Sequence, residues 1–206
     1  MSATPTPPTD AQWLGAEIRE VRKARGLTLT DLSEQVACSV AYLSRIERGA
    51  TKVSVELLAG ISTALSVDPA WFFPKRRGTG PLERAHIVRA GDRRPLSGMY
   101  TRSTEELGFE DELLSSTLSG DCYLLLSRFA PGMGTPPSRG EGYAFEGEQH
   151  GIVTAGEIVL SLGGEDIVLK TGDSFSYPST IPHRFRNNAI TESTMVWAMA
   201  PVRISW

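Results

Sequence analysis

The apolar residues of this chain change their period once, near Leu82, and no single-layer fold accommodates both halves. Before that point they recur every three or four residues, as on helices that bury one face. After it they alternate or form short runs, over residues 86–89, 122–129, 151–153, 157–162, 166–169, 174–177, 183–186 and 195–199. Turn signals separate these runs: Pro131-Gly132, Gly163-Gly164, Thr171-Gly172-Asp173 and Asn187-Asn188. Many short strands with such turns imply a β-sandwich or barrel. Residues 103–114, STEELGFEDELL, fit neither period, and a helical turn and an edge loop both remain open for them. The expected class is therefore α+β and multidomain. Residues 1–10 (MSATPTPPTD) are expected to form a disordered leader, 11–74 a helical domain, 75–81 (KRRGTGP) a linker and 82–206 the β domain.

Within the helical half, residues 28–49 (TLTDLSEQVACSVAYLSRIERG) are the most specific stretch. Thr28 is placed to cap a helix, with Asp31 three residues on, where a carboxylate suits the positive end of the helix dipole. Leu29, Leu32 and Val36 then form one apolar stripe. Ala37-Cys38-Ser39 breaks the pattern, and Ser39 can cap a second helix that ends at Gly49 in a left-handed stop. One face of that second helix carries Val40, Leu43 and Ile46 or Glu47. The other carries Ala41, Tyr42, Ser44, Arg45 and Arg48. A short helix, a tight turn and a second helix with a small, polar, basic outer face form a helix-turn-helix, whose second helix can enter a DNA major groove.

Flanking patterns extend the reading. Residues 13–25 and 54–65 are amphipathic, and Trp71-Phe72-Phe73 is expected to close the helical core. Residues 14–73 resemble the DNA-binding domain of phage-repressor-like regulators of the Cro and XRE type, most specifically in Leu43-Ser-Arg-Ile-Glu-Arg-Gly. The resemblance implies an all-α, five-helix, repressor-like domain. It implies a partly buried Arg22–Glu47 pair joining the first helix to the recognition helix. It places Val40, Ala41, Ser44 and Arg45 at base edges, Arg45 being suited to donate twice to guanine. It places Thr28, Thr30, Ser39, Tyr42, Arg48 and Lys52 at phosphates, which set register rather than sequence. The family often has Gln where Thr30 stands, and Thr reaches less far.

Charge is divided along the chain. The net charge is −3, an unexpected sign for a protein that binds polyphosphate. Residues 11–77 nevertheless hold ten Lys and Arg against seven Asp and Glu, a net +3, while residues 78–206 hold eleven against sixteen, a net −5. The positive half is the one with the helix-turn-helix. The triplet Lys75-Arg76-Arg77 suits either a DNA backbone contact or plain solvation. No apolar run reaches the eighteen or so residues of a membrane span, and no basic-then-apolar signal opens the chain, so a cytoplasmic protein with no membrane partner is expected. Cys38 and Cys122 form neither a disulfide framework nor a zinc spacing. At the helix-turn-helix break, Cys38 suits packing or, less naturally, a redox switch.

The β half carries a second resemblance. Gly172-DSFSY-Pro178-S-Thr180-IP-His183-RFR-Asn187 is similar to the second sequence motif of the cupin family, with Thr180 where that motif has Gly. Upstream, Pro131-Gly132 and residues 140–156 resemble the first motif. An all-β cupin barrel of jelly-roll type is therefore expected. Cupin enzymes hold a metal with two His and a Glu from the first motif and a His from the second. Here those positions correspond to Tyr143, Phe145, Gln149 and His183. Glu141, Glu148 and His150 are ligands by type, but side chains alternate along a strand, so Glu148 and His150 cannot face inward together with Gln149 unless the strand bulges. No metal, no cofactor and no catalytic residue is expected.

Three functions then compete. In the first, a homodimeric transcription regulator binds a pseudo-palindromic operator, and its barrel takes a small-molecule effector between Tyr143, Phe145, Gln149, Tyr177 and His183. In the second, the barrel only assembles the dimer, and His183 is a remnant held by hydrogen bonds. The third is a metal-dependent oxygenase or epoxidase of cupin type with an accessory helix-turn-helix. A side-chain-filled barrel would favour assembly.

Overall fold

A computed structural model describes residues 9–73, 81–97, 104–118, 120–135 and 142–201. The chain divides into two compact units, the first spanning residues 1–92 with 116–119, and the second residues 93–115 with 120–206. The expected leader residues 1–8 and linker residues 75–80 lie outside the described residues.

In the first unit, α1 (Asp10–Ala24), α2 (Leu29–Gln35), α3 (Val40–Glu47) and α4 (Val55–Leu65) are followed by a 3-10 turn at Pro69–Phe72. The expected five helices are thus four α-helices and one 3-10 turn, because Pro69 and the short PAWF run leave room for a single tight turn. Thr9 and Asp10, expected in the leader, instead cap and begin α1, with Gln12 completing a reciprocal capping box. α2 begins with a second capping box: Thr28 Oγ1 accepts from the Asp31 amide, and Asp31 Oδ2 accepts from the Thr28 amide. Ser39 caps α3 through the Tyr42 amide. The turn between α2 and α3 passes through Ala37 at φ 51°, a left-handed conformation that costs a residue bearing a Cβ about 1 kcal/mol.

The core of this unit is Ile18, Val21, Leu32, Leu43, Ile46, Ile61, Leu65 and Phe72. Trp71 joins it, but Phe73 does not, being 61% exposed. Gly15 sets the closeness of α1 to α3, since a Cβ there would meet the Ile46 carbonyl oxygen at 2.1 Å. The buried Glu20 carboxylate accepts from Thr117 Oγ1 and from the Leu118 amide.

α5 (Pro81–His86) corrects the strand expected over residues 86–89: Pro81 at the first helical position and Glu83 in the first turn favour a helix start. α6 (Thr104–Leu107) leads directly into β2 (Phe109–Leu113), so the acidic stretch is a helical turn followed by a full strand. Strand β2 alternates with Phe109, Asp111 and Leu113 buried, while Glu110 is exposed.

The second unit stacks two antiparallel sheets. The larger has the order β1-β2-β3-β9-β4-β7, with β1 at Arg94–Pro95, β3 at Tyr123–Phe129, β4 at Glu148–Ala155, β7 at Ser174–Pro178 and β9 at Ser193–Ala200. The smaller has the order β6-β5-β8, with β5 at Glu157–Leu162, β6 at Glu165–Lys170 and β8 at His183–Arg186. Alternate residues of β3 and β9 point inward: Tyr123, Leu125, Ser127 and Phe129 from one, Met195, Trp197 and Met199 from the other. The buried Asn187 ties the end of β8 down, its amide donating to the carbonyls of Phe129 and Thr191 while its oxygen accepts from the Ala189 amide.

Candidate nucleic-acid interface and barrel interior

Helix α3 is held from below by one buried pair. Arg22 Nε lies 2.6 Å from Glu47 Oε1 and its Nη2 lies 2.9 Å from Oε2, while Nη1 donates to the Leu27 carbonyl at 2.6 Å. Every polar edge of the pair that faces the interior therefore has a partner, which is what a buried charge pair needs to avoid destabilising a fold. The guanidinium thus fixes both the end of α1 and the last turn of α3. Gly49, at φ 65°, then ends α3.

Leu43, Ile46 and Glu47 face the core, and the opposite side of α3 is open. Of the side chains placed at DNA by sequence, Thr28, Thr30, Ser39, Val40, Ala41, Arg45, Arg48 and Lys52 are exposed, and Tyr42 and Ser44 are half-buried. Val40 falls by spacing on the apolar stripe of α3, yet it is 41% exposed and belongs to the outer face. Tyr42 Oη lies 3.5 Å from the Lys52 carbonyl, which brings the Tyr42 side chain to the loop after α3. Two hydrogen bonds from Thr28 hold the Asp31 carboxyl below the usual carboxylate range, the backbone one contributing more. Partial burial pushes the Cys38 thiol up, which disfavours the reactive thiolate.

The barrel interior is arranged differently. His183, 2% exposed, bonds through Nδ1 to the Ile181 carbonyl at 2.8 Å, and its Nε2 lies 3.0 Å from Gln149 Nε2. A carbonyl only accepts, so Nδ1 carries the proton and Nε2 accepts from the amide of Gln149. Gln149 Oε1 in turn accepts from the Tyr177 hydroxyl at 2.8 Å. Burial lowers the His183 pKa, opposed by the Ile181 carbonyl, and burial pushes the Tyr177 hydroxyl far above its usual range. Both groups are neutral, and the hydrogen-bond directions are mutually consistent along the whole chain of bonds.

Phe145 stands edge-on to His183 with centroids 5.5 Å apart, and the Tyr177 ring lies 5.0 Å from it. A second chain of bonds runs from Trp197 Nε1 to Ser127 Oγ at 2.6 Å, and from Ser127 to the buried Asp111. Between these groups is a cavity of about 20 Å³, bounded by Asp111, Thr135, Tyr143, Gln149, His183 and Trp197 among others. That is room for about one water molecule. Tyr143, Gln149 and His183 border it, whereas Phe145 and Tyr177 act through contacts with His183 and Gln149. The sequence hides Asp111 because an acid in an acidic stretch reads as surface. Its place two residues after Phe109 and two before Leu113 is the signal that finds it.

The donor set does not fit a metal of the cupin type. One imidazole whose two nitrogens are already engaged, one amide and two aromatic rings cannot supply three aimed ligands. Glu148 and His150 are exposed and bond to each other, with His150 also reaching Ser176. Glu141 lies outside the described residues.

A helix-turn-helix domain family matches residues 13–71, and a cupin domain family matches residues 126–199. The chain thus carries a helix-turn-helix domain followed by a cupin domain. It is similar to the HTH-type transcriptional regulator PuuR of Escherichia coli, with 24% identity over 91% of this chain and 94% of that protein. The transcriptional regulator ClgR of Mycobacterium tuberculosis is 43% identical over 26% of this chain and 48% of that protein. Among solved structures, Fe(II) HppE is 16% identical with a TM-score of 0.44, over 93% of this chain and 100% of that one. This chain is a DNA-binding transcriptional regulator, with the helix-turn-helix in its first unit and the cupin in its second. Among the described residues, no helix is long and apolar enough to cross a membrane.

Proposed function

We propose that this regulator works in the cytoplasm as a homodimer on a pseudo-palindromic operator, and that its cupin barrel assembles the dimer rather than catalysing a reaction. The observation that carries this reading is the barrel interior: Gln149, His183 and Tyr177 satisfy one another, and about 20 Å³ is left between the walls. An effector would have to displace the two hydrogen bonds that join these three side chains to enter. On the DNA side, Arg45 reads a base edge with Val40, Ala41 and Ser44, while Thr28, Thr30, Ser39, Tyr42, Arg48 and Lys52 contact phosphate.

The effector reading keeps one point in its favour. Aromatic rings and polar groups do converge on His183, and those are the parts of a small-molecule site. An effector would regulate only by binding one arrangement of the dimer more tightly than another.

Anisotropy titration on a complete operator and on its isolated half tests the proposal. Two protomers should occupy the complete site, and the half-site should bind about a hundredfold more weakly. Equal affinities for the two would refute the dimer. A small molecule or stoichiometric metal in native mass spectra of the purified protein would refute the purely assembling barrel.

A further inference from the structure

Strand β6, Glu165-Asp-Ile-Val-Leu-Lys170, is unlike every other strand of the barrel. Five of its six residues are exposed, on both faces, including Ile167 at 40% and Val168 at 52%. It stands at one end of the three-stranded sheet β6-β5-β8. The other end of that sheet is closed: the backbones of Tyr143 and His183 exchange two hydrogen bonds, and the Thr135 amide donates to the Phe185 carbonyl.

The direction in which the β6 backbone points follows from its hairpin. Leu162 faces Glu165 across the two-residue turn Gly163-Gly164, whose residues both have positive φ. The pair closing such a turn is hydrogen-bonded, and bonded and non-bonded pairs then alternate. Glu165, Ile167 and Leu169 therefore bond to β5, while the N–H and C=O of Asp166, Val168 and Lys170 point away from it. The other side of β5 agrees, since the Gly163 amide donates toward β8 at the Pro182 carbonyl. Lys170 is already served by its own turn, its amide donating to Asp173 Oδ2 and its carbonyl accepting from the Asp173 amide. Among the described residues, the open edge is thus the backbone of Asp166 and Val168, with an apolar Ile-Val centre. Open backbone groups beside two exposed apolar side chains are a template for another strand unless something covers them.

We infer that a second copy of this chain covers it, the two β6 strands pairing antiparallel about a two-fold axis at Ile167. In that register Asp166 of one protomer faces Val168 of its partner, twice. The four open N–H groups and the four open C=O groups are two of each per protomer, and they match in number and direction. Ile167 meets its own mate in a close non-hydrogen-bonded pair. The carboxylate of Asp166 lies diagonal to the ammonium of Lys170 across the axis, within reach of a long side chain. Pairing stops at Lys170 because Asp173 occupies its backbone. Each protomer has one such edge in this sheet, so the contact closes at two copies and joins two three-stranded sheets into one of six. The inference rests on the homodimer reading above and names the surface that makes it.

The experiment is sedimentation velocity of the full-length protein across a concentration series, with two variants. Val168→Pro removes an N–H that points away from β5, so the hairpin ladder is retained, and circular dichroism checks that it is. The variant should dimerise about ten- to a hundredfold more weakly, having lost a symmetry-related pair of bonds. Ile167→Cys, in a background with Cys38 and Cys122 replaced by Ser, should form a disulfide-linked dimer on mild oxidation, and Val168→Cys should not, because its mate across the axis is Asp166. Unchanged dimerisation by Val168→Pro together with no crosslink by Ile167→Cys would overturn the inference, as would open-ended assembly. Those results in a protein that still binds a symmetric operator as a pair would leave the regulator standing and move its interface elsewhere. A wild-type protein that is monomeric on and off DNA would overturn both.

Discussion

The outer face of α3 and the interior of the barrel both hold polar side chains and use them in opposite ways. On α3, Arg45, Arg48 and Ser39 point to solvent on a helix clamped from behind by Arg22 and Glu47. In the barrel, His183, Gln149 and Tyr177 have their hydrogen bonds filled by one another and by the Ile181 carbonyl. A surface with unspent donors on a rigid support is arranged to meet a partner. An interior with its donors spent is arranged to stay shut. The lesson is that a residue at a family's ligand position is informative only with its hydrogen bonds in view.

The comparison breaks most readily at the clamp. Glu47→Ala leaves the Arg22 guanidinium buried without its partner and should destabilise the helical unit by about 3–5 kcal/mol. Calorimetry should show one lowered transition and one unchanged cupin transition, with DNA binding lost. Tyr177→Phe removes the donor to Gln149 Oε1 and should cost the barrel about 1–3 kcal/mol while leaving operator affinity intact. A change in operator affinity there would mean that the barrel interior communicates with the DNA surface.

Arg45→Ala should cost about 1–3 kcal/mol on the cognate site, relax preference at one base pair and leave both melting transitions in place. Binding to selected and random fragments measures it. Arg48→Ala should weaken all DNA alike and flatten the salt dependence by about one unit in log–log slope.

The smallest effect concerns pH. Burial lowers the folded-state pKa of His183, so near pH 6 the unfolded chain binds more protons there than the folded one. The contribution of His183 to stability is therefore complete above about pH 6.5 and is lost as pH falls through that value toward the folded pKa. Denaturant titrations at pH 7.5 and 5.5 should show a larger drop for wild type than for His183→Gln.

The helical unit was legible in the sequence because its signals are local. Thr28, Ser39 and Gly49 each act within one turn, and the Arg22–Glu47 pair is carried by motif spacing. The barrel was legible as strands and turns, and the inward aim of Gln149 against Glu148 and His150 follows from alternation alone. Three features were not. Strand β2 is hidden because Asp111, an acid, occupies an inward position between Phe109 and Leu113. Residues 86–89 have a strand-like composition, yet His86 falls in a helix started by Pro81. Phe73 reads as core, but the 3-10 turn at Pro69–Phe72 buries Trp71 and Phe72 and leaves Phe73 outside. Whether a barrel is filled depends on side chains brought together from six strands, which no local pattern encodes.

Sequence reading by α3 is directly measurable. Purified full-length protein should be used to select fragments from genomic DNA, and the best fragment titrated by anisotropy at two salt concentrations. A symmetric site bound about a thousandfold more tightly than random DNA, with the preference surviving at the higher salt, is the predicted result. Equal, salt-sensitive affinity for every fragment would contradict it, leaving phosphate attraction without recognition.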